Sequence, residues 1–301
     1  MGTPGFADGI PDHLRQALLD CSAAGLSGVV RVSGRPGGSI YLADGRIVSV
    51  ETPGAPSIEV ILLHSQLVDE PGWDTAFAAS AASGGRAMGE ELVARGIIGA
   101  GRLEALLRTT IADGMFALAY GLVEACRAET PAAGPLTLEP GVPAGWLLDE
   151  TSRRIQTLGS LPDRGGRERV RVVAVPGAIT PGLVLGGGRD EIVALADGRR
   201  TPRDLAFALG RGLYATMLQL GQMREEGLIL TVSGPAVPPG RNRGQGRPPA
   251  SAEDAGKAAG LPRRKGRGDR AGESGGRDIM PAALRLLRPR YGEGTKSGRT
   301  E

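Results

Sequence analysis

The sequence predicts an α+β chain. A small antiparallel meander is covered by helices, and a winged helix-turn-helix-like module and a disordered basic tail follow. Three observations carry this prediction. Short β-rich runs joined by glycine turns lie between Gly28 and Pro53, and amphipathic helical spacing flanks them on both sides. From Arg189 to Val232 the order is helix, helix, glycine turn, helix, strand. A chain of 301 residues suits two domains. The expected division is a flexible terminus (1–9), a first domain with a helical extension (10–158), a Gly/Pro-rich linker (159–188), a second module (189–233) and the tail (234–301).

In the meander, Val29, Val30 and Val32 make one strand, Ile40 to Leu42 a second, and Ile47 to Val50 a third. Asp44-Gly45 joins the last two, because a two-residue type I′ turn needs φ > 0 at both central positions. Before the meander, Asp12 is expected to cap a helix with Leu14, Ala17 and Leu18 on one face. After it, Pro56-Ser57 introduces a helix from Ile58 to Leu67. A polar break at Asp69 to Trp73 then precedes an alanine-rich helix ended by Ser83 to Gly85. Glu90 to Gly96 and Arg102 to Ala112 form a helix pair around Ile97-Ile98-Gly99. Met115 to Gly121 suits either a returning strand or helix, since so short an apolar run does not separate the two. Pro131 to Pro143 is a connector. Trp146 to Leu158 reads as an amphipathic helix with Leu147, Ile155 and Leu158 inward and Arg153 and Arg154 outward. Val170 to Val175 is a short strand candidate, and Pro176 to Gly188 is flexible in composition.

Gly28, the run from Gly38 to Val50 (GSIYLADGRIVSV) and the helix bearing Ile58, Val60, Leu62 and Leu63 together resemble the PATAN domain, an α/β module of bacterial regulatory and motility proteins. The likeness is best over residues 10–65 and weaker to about 158. It implies action through protein contacts and brings no catalytic residue. The chain is also similar to actinobacterial proteins described as transcriptional regulators, in which this module precedes a winged-helix-like segment.

Composition narrows the chemistry. Aromatics are 3%, against 49 glycines and 22 prolines, so cores must be built from Leu, Val, Ile and Ala. The net charge of +3 conceals an acidic body and a basic, low-complexity tail beyond Gly234. Such a tail is expected to be disordered and able to neutralise phosphates. Within it, Ile279 to Arg290 has the spacing of a short basic amphipathic helix. Cys21 and Cys126 are the two cysteines; without CxxC spacing they predict buried free thiols rather than a zinc site or disulfide. His13 and His64 are the two histidines, and neither has partners in sequence for a ligand or general-base role. Gly186-Gly187-Gly188 lacks the Lys-Ser/Thr of a phosphate loop. No cofactor, metal or catalytic residue is expected. Neither a secretory leader nor a membrane span is indicated, and a cytoplasmic location follows.

The second module begins with a helix at Asp190 to Ala196. Thr201-Pro202-Arg203-Asp204 then supplies a cap, a first-turn proline and an acidic third residue for a helix reaching Leu209. Gly210-Arg211-Gly212 turns into a third helix, Leu213 to Glu226, followed by a strand from Leu228. A recognition helix presents donors to base edges and phosphates. The candidates here are Arg211 in the turn and Thr216, Gln219 and Gln222 on the third helix, with Arg199, Arg200 and Arg203 nearby for phosphates. The expectation is a non-enzymatic bacterial regulator: a protein partner is bound through the first domain, DNA is bound by the module and tail, and the chain is a candidate homodimer. The alternative is a signalling adaptor in which the winged helix makes protein contacts and no DNA is bound. One solvent-facing patch of Arg199, Arg200, Arg203 and Arg211 with Gln219 favours DNA; scattering of those arginines into ion pairs with Asp197 or Asp204 favours the adaptor.

Overall fold

The computed structural model describes residues 9–82, 88–129, 136–161, 170–178 and 185–232. The architecture is mixed α/β. Strands β1 (Gly28–Arg35), β2 (Gly38–Ala43), β3 (Arg46–Glu51) and β4 (Leu122–Glu129) form an antiparallel sheet in the order β3-β2-β1-β4. The β2–β3 turn is the two-residue hairpin expected: Ala43 pairs with Arg46, and Asp44 and Gly45 have φ of 48° and 73°. A Cβ at Gly45 would also run into the Ser22 carbonyl, so glycine is required there twice over.

Helix α1 (Asp12–Ala23) packs along β4. Asp12 lies in its first turn instead of capping it; the N-cap is Pro11, and no side chain closes the end. Helix α2 (Ile58–His64) is capped by the Ser57 hydroxyl, which accepts from the Val60 amide at 3.3 Å. Helices α3 (Glu70–Ala82), α4 (Met88–Ala94) and α5 (Ala100–Tyr120) follow. The α2–α3 and α4–α5 connections share one construction. Gln66 and Gly96 are both left-handed (φ 54° and 68°), and Leu67 and Ile97 donate their amides back to Leu62 and Leu92 at 3.1 and 3.0 Å. Val68 and Ile98, then Trp73 and Leu103, are buried at matching places.

The Met115 to Gly121 run continues α5, and the returning strand, β4, starts only at Leu122. From Thr110 to Ala119 every residue of α5 is buried, so this part of the helix has no polar face to mark it in sequence. Gly114 makes the crossing possible, since a Cβ there would lie 2.9 Å from Val50 Cγ1 on β3. Helix α6 (Ala144–Ser160) packs on α5 and α1 with Leu147, Ile155 and Leu158 buried, as its periodicity predicts. The chain before it closes the β3 edge through Leu138 N–H to Val48 O (2.9 Å) and Val142 N–H to Ile47 O (2.8 Å).

The remaining described elements are β5 (Arg171–Ala174), α7 (Arg189–Leu195), α8 (Pro202–Leu209), α9 (Leu213–Glu225) and β6 (Ile229–Val232). Strand β5 falls inside the expected linker, yet it pairs antiparallel with β6 and buries Val172 among Ile192, Leu205, Leu220, Met223 and Ile229. Without it this small core would face solvent on one side. Strand β5 also meets the α7–α8 turn through Gly198 N–H to Val172 O and Val172 N–H to Arg200 O, both 2.9 Å. The predicted start of α8 is a reciprocal capping box between Thr201 and Asp204. All described residues belong to one compact unit. The tail from 234, with its Ile279 to Arg290 segment, lies outside the described residues, as do the Ser83 to Gly85 helix end and most of the 1–9 terminus.

Candidate functional site at the seam of the two modules

Helix α9 begins at Gly212, which has no side chain to cap it, so its first amides need acceptors from elsewhere. They find them on α5. The Leu213 and Tyr214 amides donate to Asp113 Oδ2 and Oδ1 at 2.6 and 2.8 Å. A carboxylate 3% exposed, contributed by the first domain, thus sits where an N-cap or a bound anion would sit, at the positive end of the helix. Arg154 approaches it at 3.7 Å and stacks over Tyr214, 4.9 Å from the ring centroid. Glu150 in turn accepts from Arg154 Nε at 2.7 Å, and Phe116 meets Tyr214 edge-on at 5.5 Å. Arg154 is not the outward residue that helical spacing predicts; its side chain is 12% exposed because the second module covers that face of α6.

Close backbone approaches complete the seam. A Cβ at Gly212 would lie 3.3 Å from Asp113 Cγ, and one at Gly210, the left-handed C-cap of α8, would collide with His64 at the end of α2. Burial pushes the Asp113 carboxyl above the ordinary carboxylate range, and the two amides and Arg154 offset that only in part. For Glu150, burial would do the same, but hydrogen bonds and charge from Arg154 and Arg153 outweigh it and hold the group below its usual value.

Four of the residues expected to face DNA are engaged within the module itself. Arg200 pairs with Asp197 at 3.0 Å and donates to the Leu195 carbonyl at 3.1 Å. Arg211 is held by Glu191 at 2.8 Å and by the Gly188 carbonyl at 3.1 Å. Gln219 donates to the Gly187 carbonyl at 2.9 Å. Thr216 is not exposed at all: it is 2% accessible and its hydroxyl returns to the Gly212 carbonyl at 2.9 Å, because the face of α9 that carries it packs inward with Leu213, Met217 and Leu220. Arg199 is exposed, but it stands in the field of Asp197, and its carbonyl is taken by Arg171. Arg203 and Gln222 are exposed, and their side chains make no hydrogen bond or ion pair among the described residues. Asp44 and Gly45 serve the hairpin.

Cys21 and Cys126 are free and partly buried, and burial pushes both thiols up. Among the described residues, no three His, Cys, Asp or Glu side chains gather as a metal site would require, and no helix is long and apolar enough to cross a membrane. Comparison with family models, curated proteins and solved structures finds no match to this chain.

Sequence reasoning missed Asp113 and Arg154. The signal for the first was the Gly210-Arg211-Gly212 turn itself, which starts a helix with no Ser, Thr, Asp or Asn to cap it.

Proposed function

We propose that the chain is a non-enzymatic regulatory adaptor: a PATAN-like first domain binds a protein partner, and a winged-helix-like module is used for protein contact and not for reading DNA. The observation that carries this reading is the Asp113 carboxylate on the Leu213 and Tyr214 amides. A recognition helix places its amino-terminal residues in the major groove. Here that end of α9 is occupied by the first domain, with a negative charge where a phosphate would have to come. The ion pairs of Arg200 and Arg211 and the tether of Gln219 to Gly187 point the same way. The order of α7, α8, α9 and β6, with β5 beside β6, supports the winged-helix comparison. The likeness of Gly38 to Val50 to the PATAN hairpin supports a protein-binding first domain.

The test is affinity for genomic DNA fragments at two salt concentrations. It compares the full chain, a chain ending at Val232, and the triple substitution of Arg199, Arg200 and Arg203 by Ala. The adaptor reading expects any binding to come from the basic tail: it falls steeply with salt, shows no fragment preference and vanishes on truncation. Binding that survives truncation, prefers particular fragments and falls with the three arginines would replace the adaptor with a transcriptional regulator.

A further inference from the structure

The seam also encloses a cleft of about 480 Å³, lined on one side by Arg35, Pro36 and Ala117 of the first domain and on the other by Arg203, Leu213 and Met217 of the second module. This volume is within the roughly 300–1,000 Å³ of small-ligand pockets. Its floor is apolar: Ala117, Leu213 and Met217 are buried at 1%, 3% and 4% exposure. Two arginines and one aspartate also line it. Arg35 and Arg203 are both exposed, and the side chain of neither makes a hydrogen bond or ion pair among the described residues, in contrast to Arg154, Arg200 and Arg211. Asp204 also lines the cleft, but its carboxylate is engaged by the Thr201 amide at 2.9 Å and hydroxyl at 2.8 Å. The first-domain wall is tightly packed. A Cβ at Gly54 would lie 2.6 Å from Pro36 Cγ and 3.2 Å from Ala117 Cβ, and one at Gly121 would lie 2.6 Å from Pro36 Cδ.

We propose that this cleft binds a small amphipathic anion, its apolar body against Ala117, Leu213 and Met217 and its carboxylate, sulfonate or phosphate between Arg35 and Arg203. Guanidinium groups without carboxylate partners are the donors such a head group requires, and the apolar floor favours a ligand that also carries an apolar body. Leu213 belongs both to the cleft and to the Asp113 contact, so occupancy holds α9 against the first domain. This inference is independent of the adaptor reading, since it needs neither a protein partner nor DNA.

The test is a fluorescence titration of the full chain with 8-anilinonaphthalene-1-sulfonate, and with N-phenyl-1-naphthylamine as an uncharged counterpart of similar shape. The sulfonate is expected to saturate a single site and to bind more tightly than the uncharged probe. Joint substitution Arg35→Ala and Arg203→Ala should weaken the sulfonate by roughly tenfold or more and leave the uncharged probe unchanged. Arg203→Glu alone should weaken the sulfonate in the same sense. Both arginines are exposed, so an unchanged thermal transition in each variant certifies the fold. Sulfonate affinity that is unaltered by the double substitution, or equal affinity for the two probes, overturns the proposal.

Discussion

Asp113 shows how one side chain can govern a contact far beyond its own helix. It is nearly inaccessible, and two main-chain donors and a guanidinium converge on it. Removing the carboxylate leaves the Leu213 and Tyr214 amides without an acceptor while Arg154 keeps Glu150, and buried donors left unsatisfied cost about 1–3 kcal/mol each. Asp113→Ala should therefore lower unfolding stability by that order in urea titration, and Asp113→Asn, which retains one acceptor oxygen, by less. The raised carboxyl also sets a pH dependence. The folded state holds the proton more tightly than the unfolded chain, so the contribution of Asp113 to stability is fully present below the ordinary carboxylate range and is lost as pH rises through the folded value. Asp113→Asn should flatten that decline. Glu150 has the opposite sign: its contribution is present above the ordinary carboxylate range and is lost as pH falls through its depressed folded value. Comparing Glu150→Gln with the parent chain in acid denaturation checks this; identical acid midpoints would contradict it.

At the scale of single elements, much of the chain is built from local signals. The β2–β3 hairpin depends on φ > 0 at Asp44 and Gly45 and on free space beside the Ser22 carbonyl. Gly45→Val should cost roughly 1–2 kcal/mol from the left-handed conformation alone, with the clash added, and should be visible as a lower melting temperature. Helix α8 depends on the Thr201 and Asp204 capping box. Thr201→Ala should cost about 1 kcal/mol, whereas Thr201→Ser, which keeps the hydroxyl, should lie close to the parent in the same melts. The paired α2–α3 and α4–α5 turns carry a further lesson. Gln66 tolerates a left-handed backbone where Gly96 adopts it freely, so the two turns have the same hydrogen bonds but dissimilar residues at the position that would announce them.

Across the whole molecule, the seam joins a helix-covered sheet to a small three-helix module through Asp113, Arg154, Phe116 and Tyr214. If that joint governs cooperativity, the parent chain should melt in one transition. Asp113→Ala should then speed hydrogen exchange of the amides at the start of α9 ahead of those in the sheet. Exchange that stays uniform in the variant would mean that apolar packing alone holds the modules together. The strands around Asp44-Gly45, the capped start at Thr201, the inward face of α6 and the span of α9 were legible in sequence because each rests on residues within a few positions of one another. Strand β4, the role of β5 and the inward turn of Arg154 were not. The fully buried part of α5 conceals the helix that delivers β4, and Arg171 to Ala174 acquires its meaning only when β6 lies beside it. The Asp113 contact spans 100 positions. An uncapped helix start declares in sequence that an acceptor is needed, but which carboxylate supplies it depends on where α5 comes to lie. Packing across the molecule makes that choice.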